Sequence, residues 1–351
     1  MKKYLLLLTF LSVIGNAQIV RKYSNEFLNI GAGARGLAMG GAVISNQNDV
    51  YAPMWNPAGL TEVESDWQGA AMHAEYFESI AKYDYISFTK ALDSKDGVLG
   101  ISIVRLGVDN ILNTTQMIDS EGNIDYDKIS KFSTSDYAGI ISYAFRPGGN
   151  QKLSVGINAK IVYRNIGKFA NGFGFGFDAG AIYRADSGYQ FGAMLRDATT
   201  TVNFWSINQK ELSTVVNGEE FNPAPKDKME ITMPKLNLGV SKNFEINRDL
   251  ELLPEAGLNV DFAKTAAVIS TDFASISPYL GAELSFQKMI FVRAGLNRFQ
   301  TVTDIEDLKR KVSMQPSAGI GIKYKGLTLD YAITNTGIGG SNYFSNFFSL
   351  K

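Results

Sequence analysis

Cysteine is absent from this chain of 351 residues. That rules out a disulfide framework and the lipid-bearing cysteine of a lipoprotein anchor. Histidine is almost absent: His73 is the one copy, and a single imidazole among scattered carboxylates lacks the ligand spacing of a metal site. A dominant charge is missing as well, since 34 Lys and Arg against 35 Asp and Glu leave a net charge of −1. No basic field is therefore available to hold nucleic acid. Long apolar runs are also lacking. Residues 4–14 come nearest, and they are too short to cross a bilayer as a helix. No cofactor is expected, no metal, and no catalytic set.

Residues 4–14 fit a different role. Met1, Lys2 and Lys3 give a basic start and Gly15-Asn16-Ala17 a small-residue exit, the layout of a cleaved signal peptide over residues 1–17. The mature chain then begins at Gln18, in the periplasm or beyond.

What the sequence does have is alternation. Leu153, Val155, Ile157, Ala159, Ile161 and Tyr163 fall on one face of an extended segment, and Lys152, Ser154, Gly156, Asn158 and Lys160 on the other. Strand side chains alternate with period two, so such a segment separates an oily environment from a wet one. The pattern predicts strands at 67–76, 81–91, 97–109, 135–146, 151–164, 173–185, 189–199, 231–244, 250–263, 276–286, 289–300, 314–324, 327–336 and 342–350. Connections alternate between short turns and longer loops such as 110–134 and 200–230. That is the arrangement of periplasmic turns and external loops in a transmembrane barrel. The expected fold is all-β: a 14-stranded antiparallel transmembrane β-barrel over residues 67–351, surrounded by outer-membrane lipid, its last strand closing against its first.

The register sends Phe173, Phe175 and Phe177 outward, with Leu252, Leu258, Val260, Phe262, Ile320, Ile322 and Tyr324. It sends Lys160, Asp178, Arg184, Arg196, Glu255, Asp261, Glu283, Arg293 and Lys323 inward, as mixed-sign networks filling the lumen. His73 and Glu75 share a face of the first strand and are expected in the lumen, as part of a polar network and not a catalytic base. Trp67, Tyr76, Tyr83, Tyr85, Tyr163, Tyr183, Tyr189 and Tyr324 are assigned to interfacial girdles. Pro234, Pro254, Pro278 and Pro316 fall inside predicted strands, where each marks a bulge, a kink, a lateral gap or a strand end.

Residues 18–66 read differently and form a plug on the periplasmic side. Gly31, Gly33, Gly36, Gly40 and Gly41 crowd its first part, while Met39, Met54, Trp55 and Leu60 need burial, for which the barrel is the available site. The stretch Gly33-Ala34-Arg35-Gly36-Leu37-Ala38-Met39-Gly40-Gly41-Ala42, then Asn48-Asp49, then Trp55-Asn56-Pro57-Ala58-Gly59-Leu60 closely resembles the N-terminal hallmark of FadL-like outer-membrane proteins. That superfamily holds hydrophobic-compound transporters and the PorV/PorQ proteins of type IX secretion. The resemblance implies a fourteen-stranded barrel with an N-terminal plug. It marks Arg35, Met39, Gly40, Gly41, Asp49, Trp55, Asn56 and Pro57 as the plug or latch residues; the Arg35 and Asp49 pair either ties the plug to the wall or forms a movable latch. The short chain and plain barrel look more like PorV/PorQ. That implies a non-enzymatic accessory or binding barrel beside the type IX machinery, with a secretion translocon or its cargo as partner. The candidate contact loop is 200–230, through Phe204, Trp205 and Phe221. The alternative is a FadL-like transporter passing hydrophobic small molecules across the outer membrane of a Gram-negative bacterium.

Overall fold

The computed structural model describes residues 25–92, 97–223, 225, 227–303, 310–335 and 340–350, the last stretch as backbone only; the expected signal peptide lies outside them. The alternating segments form strands β1 (Trp67–Tyr76), β2 (Ala81–Ala91), β3 (Gly97–Asn113), β4 (Ser130–Phe145), β5 (Leu153–Ile166) and β6 (Ala170–Arg184). Next come β7 (Tyr189–Arg196, resumed at Thr201–Ile207) and β8 (Met229–Thr232, resumed at Lys235–Lys242). The wall continues with β9 (Leu250–Asp261), β10 (Ser275–Phe286), β11 (Ile290–Thr303), β12 (Arg310–Tyr324), β13 (Leu327–Asn335) and β14 (Gly340–Leu350).

Each pairs antiparallel with the next. The ring closes where Trp67 of β1 lies opposite Leu350 of β14 and Glu75 opposite Asn342. Among the described residues closure leaves each wall strand paired on both sides, the condition for backbone to stand in hydrocarbon.

Several elements exceed their expected bounds. β3 and β4 extend beyond the predicted ends through a bulge between Val108 and Ile111. The stretch 200–230 is not a plain loop: its ends continue β7 and β8, and a hairpin of Thr214–Val216 and Glu219–Phe221 caps it. Phe204 and Trp205 therefore belong to the wall, Phe204 paired with Met229 and Phe173, while Phe221 is exposed on the hairpin. Pro234 falls in the break of β8, Pro254 and Pro278 sit in an unshifted ladder, and Pro316 pairs with Leu296 one position before a bulge. This second bulge lies between Asn297 and Gln300.

The faces follow the alternation. Phe173, Phe175 and Phe177 are about half exposed on the outer surface, at 52, 49 and 48%. Between them Gly174, Gly176 and Asp178 look inward. A soluble fold would not leave such a row of phenylalanines on its outer surface; a bilayer would cover them.

Candidate functional site

The interior is filled by residues 25–66, built around one tryptophan. Helix α1 (Ala34–Ala38) and helix α2 (Ala52–Trp55) flank a turn-rich stretch, and a 3-10 helix, Pro57–Glu62, leads into β1. The Trp55 ring lies against Gly31, Gly36 and Gly41, and its indole N–H donates to the Ala32 carbonyl at 2.6 Å. A Cβ at Gly36 would stand 2.6 Å from the ring, and one at Gly33 would stand 2.8 Å from Tyr51. The glycine crowding of the sequence thus has a steric cause: two aromatic rings lie directly on the backbone.

The wall makes room for this plug in the same way. Gly100, Gly156, Gly180, Gly192, Gly281, Gly295 and Gly319 face inward on seven staves, and each meets a plug residue. A methyl group at Gly156 would strike the backbone of Pro57 and Ala58; at Gly319 it would stand 2.6 Å from the Cβ of Ala38. The alternation gives the inward phase of these glycines, but only the folded plug shows what they admit.

Polar groups fix the fit. Arg35 donates to Glu283 of β10 at 2.9 Å and to Asn46 at 2.7 Å. Arg293 bonds the same Glu283 oxygen at 2.6 Å and Asp330 at 2.5 Å. Glu255 of β9 accepts the amide N–H of Ile44 (2.7 Å) and Ser45 (3.0 Å), the Ser45 hydroxyl (2.5 Å) and the Asn46 side-chain amide (2.8 Å). Asn56 donates to the Ile44 carbonyl at 2.8 Å and to the wall carbonyl of Ala181 at 3.1 Å, while its own oxygen caps Ala58. Ser317 and Asn297 bond the carbonyls of Ala38 and Gly40. Met39 is fully buried, and Gly40 and Gly41 hold positive φ.

Asp49 departs from its expected role. It takes the Tyr51 amide at 2.9 Å and the Gln47 side chain, both within the plug, and among the described residues it bonds no wall residue. The tie to the wall belongs to Arg35, Asn46 and Glu255. Burial pushes the Asp49 carboxyl up, against the pull of Arg35 and the Tyr51 N–H. Burial works against the Arg35 charge too, yet Glu283 and Asp49 outweigh it and hold the guanidinium above its ordinary range.

The interior has two unlike halves. From β5 to β13 it is ionic. Lys160 bonds Asp178 at 2.6 Å and Asp197 at 2.7 Å, and Arg196 bonds Asn237 together with the Leu28 and Met54 carbonyls. On β1 to β5 an apolar patch stands beside buried polar residues such as Gln68, Ser87, Thr89, Ser102 and Ser142. Met72, Tyr76, Tyr83, Tyr85, Val104, Ile140 and Val162 form one buried cluster with Phe27, Leu28 and Tyr51 of the plug segment.

Three tyrosines placed in the girdle by sequence therefore lie inside. Tyr83 and Tyr85 are fully buried and Tyr76 nearly so, whereas Trp67, Tyr163, Tyr183, Tyr189 and Tyr324 do face outward. Tyr85 bonds Ser102 at 2.9 Å, while the buried Tyr83 hydroxyl has no partner. Phase distinguishes them: Tyr83 and Tyr85 alternate with Asp84, and the sequence reading gave aromatic identity more weight than phase.

His73 is corrected by the same argument. Met72 contacts the plug at the Gly33 amide, so His73 points outward with Glu75. It bonds Asp84 at 2.7 Å, which in turn bonds Arg105 at 3.0 Å, on the outer surface. Among the described residues no group of metal-ligating side chains occurs.

No protein-family model matches the sequence, and no curated protein matches it. Solved structures do. A monoaromatic hydrocarbon channel, CymD, aligns with a TM-score of 0.59 at 13% identity, over 92% of this chain and 98% of that one. The toluene transporter TodX of Pseudomonas putida gives 0.56 at 13%, over 90% and 96%. A FadL homologue of Pseudomonas aeruginosa gives 0.52 at 11%, over 91% and 95%. At such identities the likeness is one of fold: an all-β, antiparallel barrel like those of these channels.

Proposed function

We propose that this protein is a conduit for hydrophobic small molecules in the outer membrane of a Gram-negative bacterium. The observation that carries the reading is the apolar patch of the lumen. A water-filled pore is lined by polar groups; here Tyr83, Tyr85, Val104, Ile140 and Val162 instead face an interior occupied by Phe27 and Leu28. A cargo without polar groups exchanges contacts with such a wall at little desolvation cost. The 3-10 turn carrying Phe27 and Leu28 (Glu26–Asn29) is the part that must yield, because it covers the tyrosine cluster from within. The fold shared with a toluene transporter and a monoaromatic hydrocarbon channel supports the same reading.

An accessory role in type IX secretion rests on the N-terminal motif, the short chain and plain barrel, and the loop 200–230. Its candidate contacts Phe204 and Trp205 lie in β7, and Trp205 stacks with Arg164 at 5.3 Å.

The test is uptake. Cells carrying the wild-type chain should take up labelled monoaromatic or long-chain acyl compounds faster than cells carrying Val104→Asp or lacking the chain. Equal rates in all three strains, with the barrel present in the membrane, would sink the conduit reading.

A further inference from the structure

The apolar belt around this barrel is not of even height. On β6 it runs from Tyr183 to Phe173, roughly 25 Å for a strand rising ~3.3 Å per residue at a tilt of ~40°. On β1, β2 and β3 it stops early. The outward series is Trp67 to Ala71, Phe88 to Ile86, and Leu99 to Ile103, about 5–10 Å by the same rise. The next outward position on each strand is charged or titratable: His73, Asp84 and Arg105, which are register partners across the three strands.

These groups form one connected outward patch. His73 lies between Asp84 at 2.7 Å and Glu75 at 3.7 Å, Arg105 bonds the second Asp84 oxygen at 3.0 Å, and Lys82 reaches Asp109 at 3.8 Å. The side chains stay between 31 and 50% exposed. His73, Asp84 and Arg105 each stand six residues beyond Trp67, Lys90 and Leu99, or about 15 Å up the wall. On β6 the same count from Tyr183 reaches Phe177, in the middle of the apolar belt. Charged side chains facing lipid at that depth are costly, and a bilayer meets a short apolar stretch by thinning.

We infer that the membrane is thinned against β1–β3, so that water and the polar head groups of the outer leaflet descend onto the His73–Asp84–Arg105 patch. Head groups and water are the occupants any membrane supplies, and a patch carrying both signs offers donors and acceptors to either. The hairpin tip above it, with exposed Phe77 and Ile80, then stands in the interfacial layer.

The inference rests on the membrane placement of the barrel, and the experiment separates the two. Because the chain has no native cysteine, single spin labels can be placed through Glu75→Cys, Arg105→Cys, Ile161→Cys and Phe175→Cys. The labelled protein is reconstituted in phosphatidylethanolamine and phosphatidylglycerol vesicles, with and without lipopolysaccharide. Collision with dissolved oxygen and with a water-soluble nickel chelate then reports depth. Labels at 161 and 175 should favour oxygen, and labels at 75 and 105 the nickel chelate. In the triple variant His73→Leu, Asp84→Leu, Arg105→Leu, the label at 75 should shift toward oxygen. Oxygen-favouring labels at all four sites would overturn the thinning while leaving the barrel in the membrane. Labels at 75 and 105 screened from both reagents would overturn it in favour of a protein covering the patch. Nickel access at 161 and 175 would overturn the membrane placement itself.

Discussion

Replacing Glu255 by glutamine should release the middle of the plug without opening the barrel. One carboxylate oxygen receives the Ser45 amide, the Ser45 hydroxyl and the Asn46 side chain; the other receives the Ile44 amide at 2.7 Å. In Glu255→Gln the less damaging orientation keeps its carbonyl toward Ser45 and Asn46, which turns an NH2 group toward the Ile44 N–H. The variant then loses one charge-assisted bond, about 1.5–3 kcal/mol, and strands a buried donor at about 1–3 kcal/mol more. A net loss near ~3 kcal/mol corresponds to about a hundredfold in a local opening equilibrium. Hydrogen exchange reads this directly: the amides of Ile44 and Ser45 should exchange about two orders of magnitude faster by that conversion, while amides in β9 and β10 keep their protection. Unchanged exchange at Ile44 and Ser45 would refute the anchoring role of Glu255. Equal acceleration in the strands would show that wall and plug open as one unit.

Other predictions follow from the same geometry. Gly156→Val should drive the plug off the wall, since even a Cβ there meets the backbone of Pro57 and Ala58; cells should become sensitive to bulky antibiotics while the barrel still shows heat-modifiable migration. Trp55→Ala should cost about 3–5 kcal/mol of plug stability, seen as faster proteolysis within residues 25–62. Tyr83→Phe should be neutral or slightly stabilising in thermal denaturation, because the hydroxyl it removes is buried without a partner. In the β3–β4 loop, Asp119 accepts the Asn123 side-chain amide and the N–H groups of Asn123 and Glu121, which holds its carboxyl below the usual range. Its contribution to loop order is then complete above about pH 4, the ordinary Asp value, and is lost as pH falls through the lower folded value. Protease nicking of that loop should rise only in that acidic window.

The strands were legible because alternation is a local property. Ile157, Ile161 and Phe175 face outward as their phase requires, and Lys160, Glu283 and Arg293 face inward. The errors arose where residue type competed with phase. Tyr83 and Tyr85 look like girdle residues and His73 like a lumen residue, yet Met72, one position away, meets the plug. The N-terminal motif singles out Arg35 and Asp49, but not their partners. Arg35 meets Glu283 and Asn46, and nothing in the spacing of Arg35 and Asp49 indicates that the second is held by Tyr51 and Gln47 instead. The division of the lumen into an apolar patch and an ionic half needs fourteen staves in register, which no single segment encodes.

The order in which the chain emerges sets the order in which it can assemble. Arg35 and Glu283 are 248 residues apart, and Ala38 and Ser317 are 279 apart. The segment that ends enclosed is among the first to leave the export channel, and its partners in β10–β12 are among the last. Until they arrive Trp55 has no barrel around it, and Arg35 and Glu283 have no counter-charge in each other. Loop closure over such separations makes plug docking a late event in assembly. A truncated chain ending before β10 would therefore expose its N-terminal segment to periplasmic proteases, however well its early strands pair.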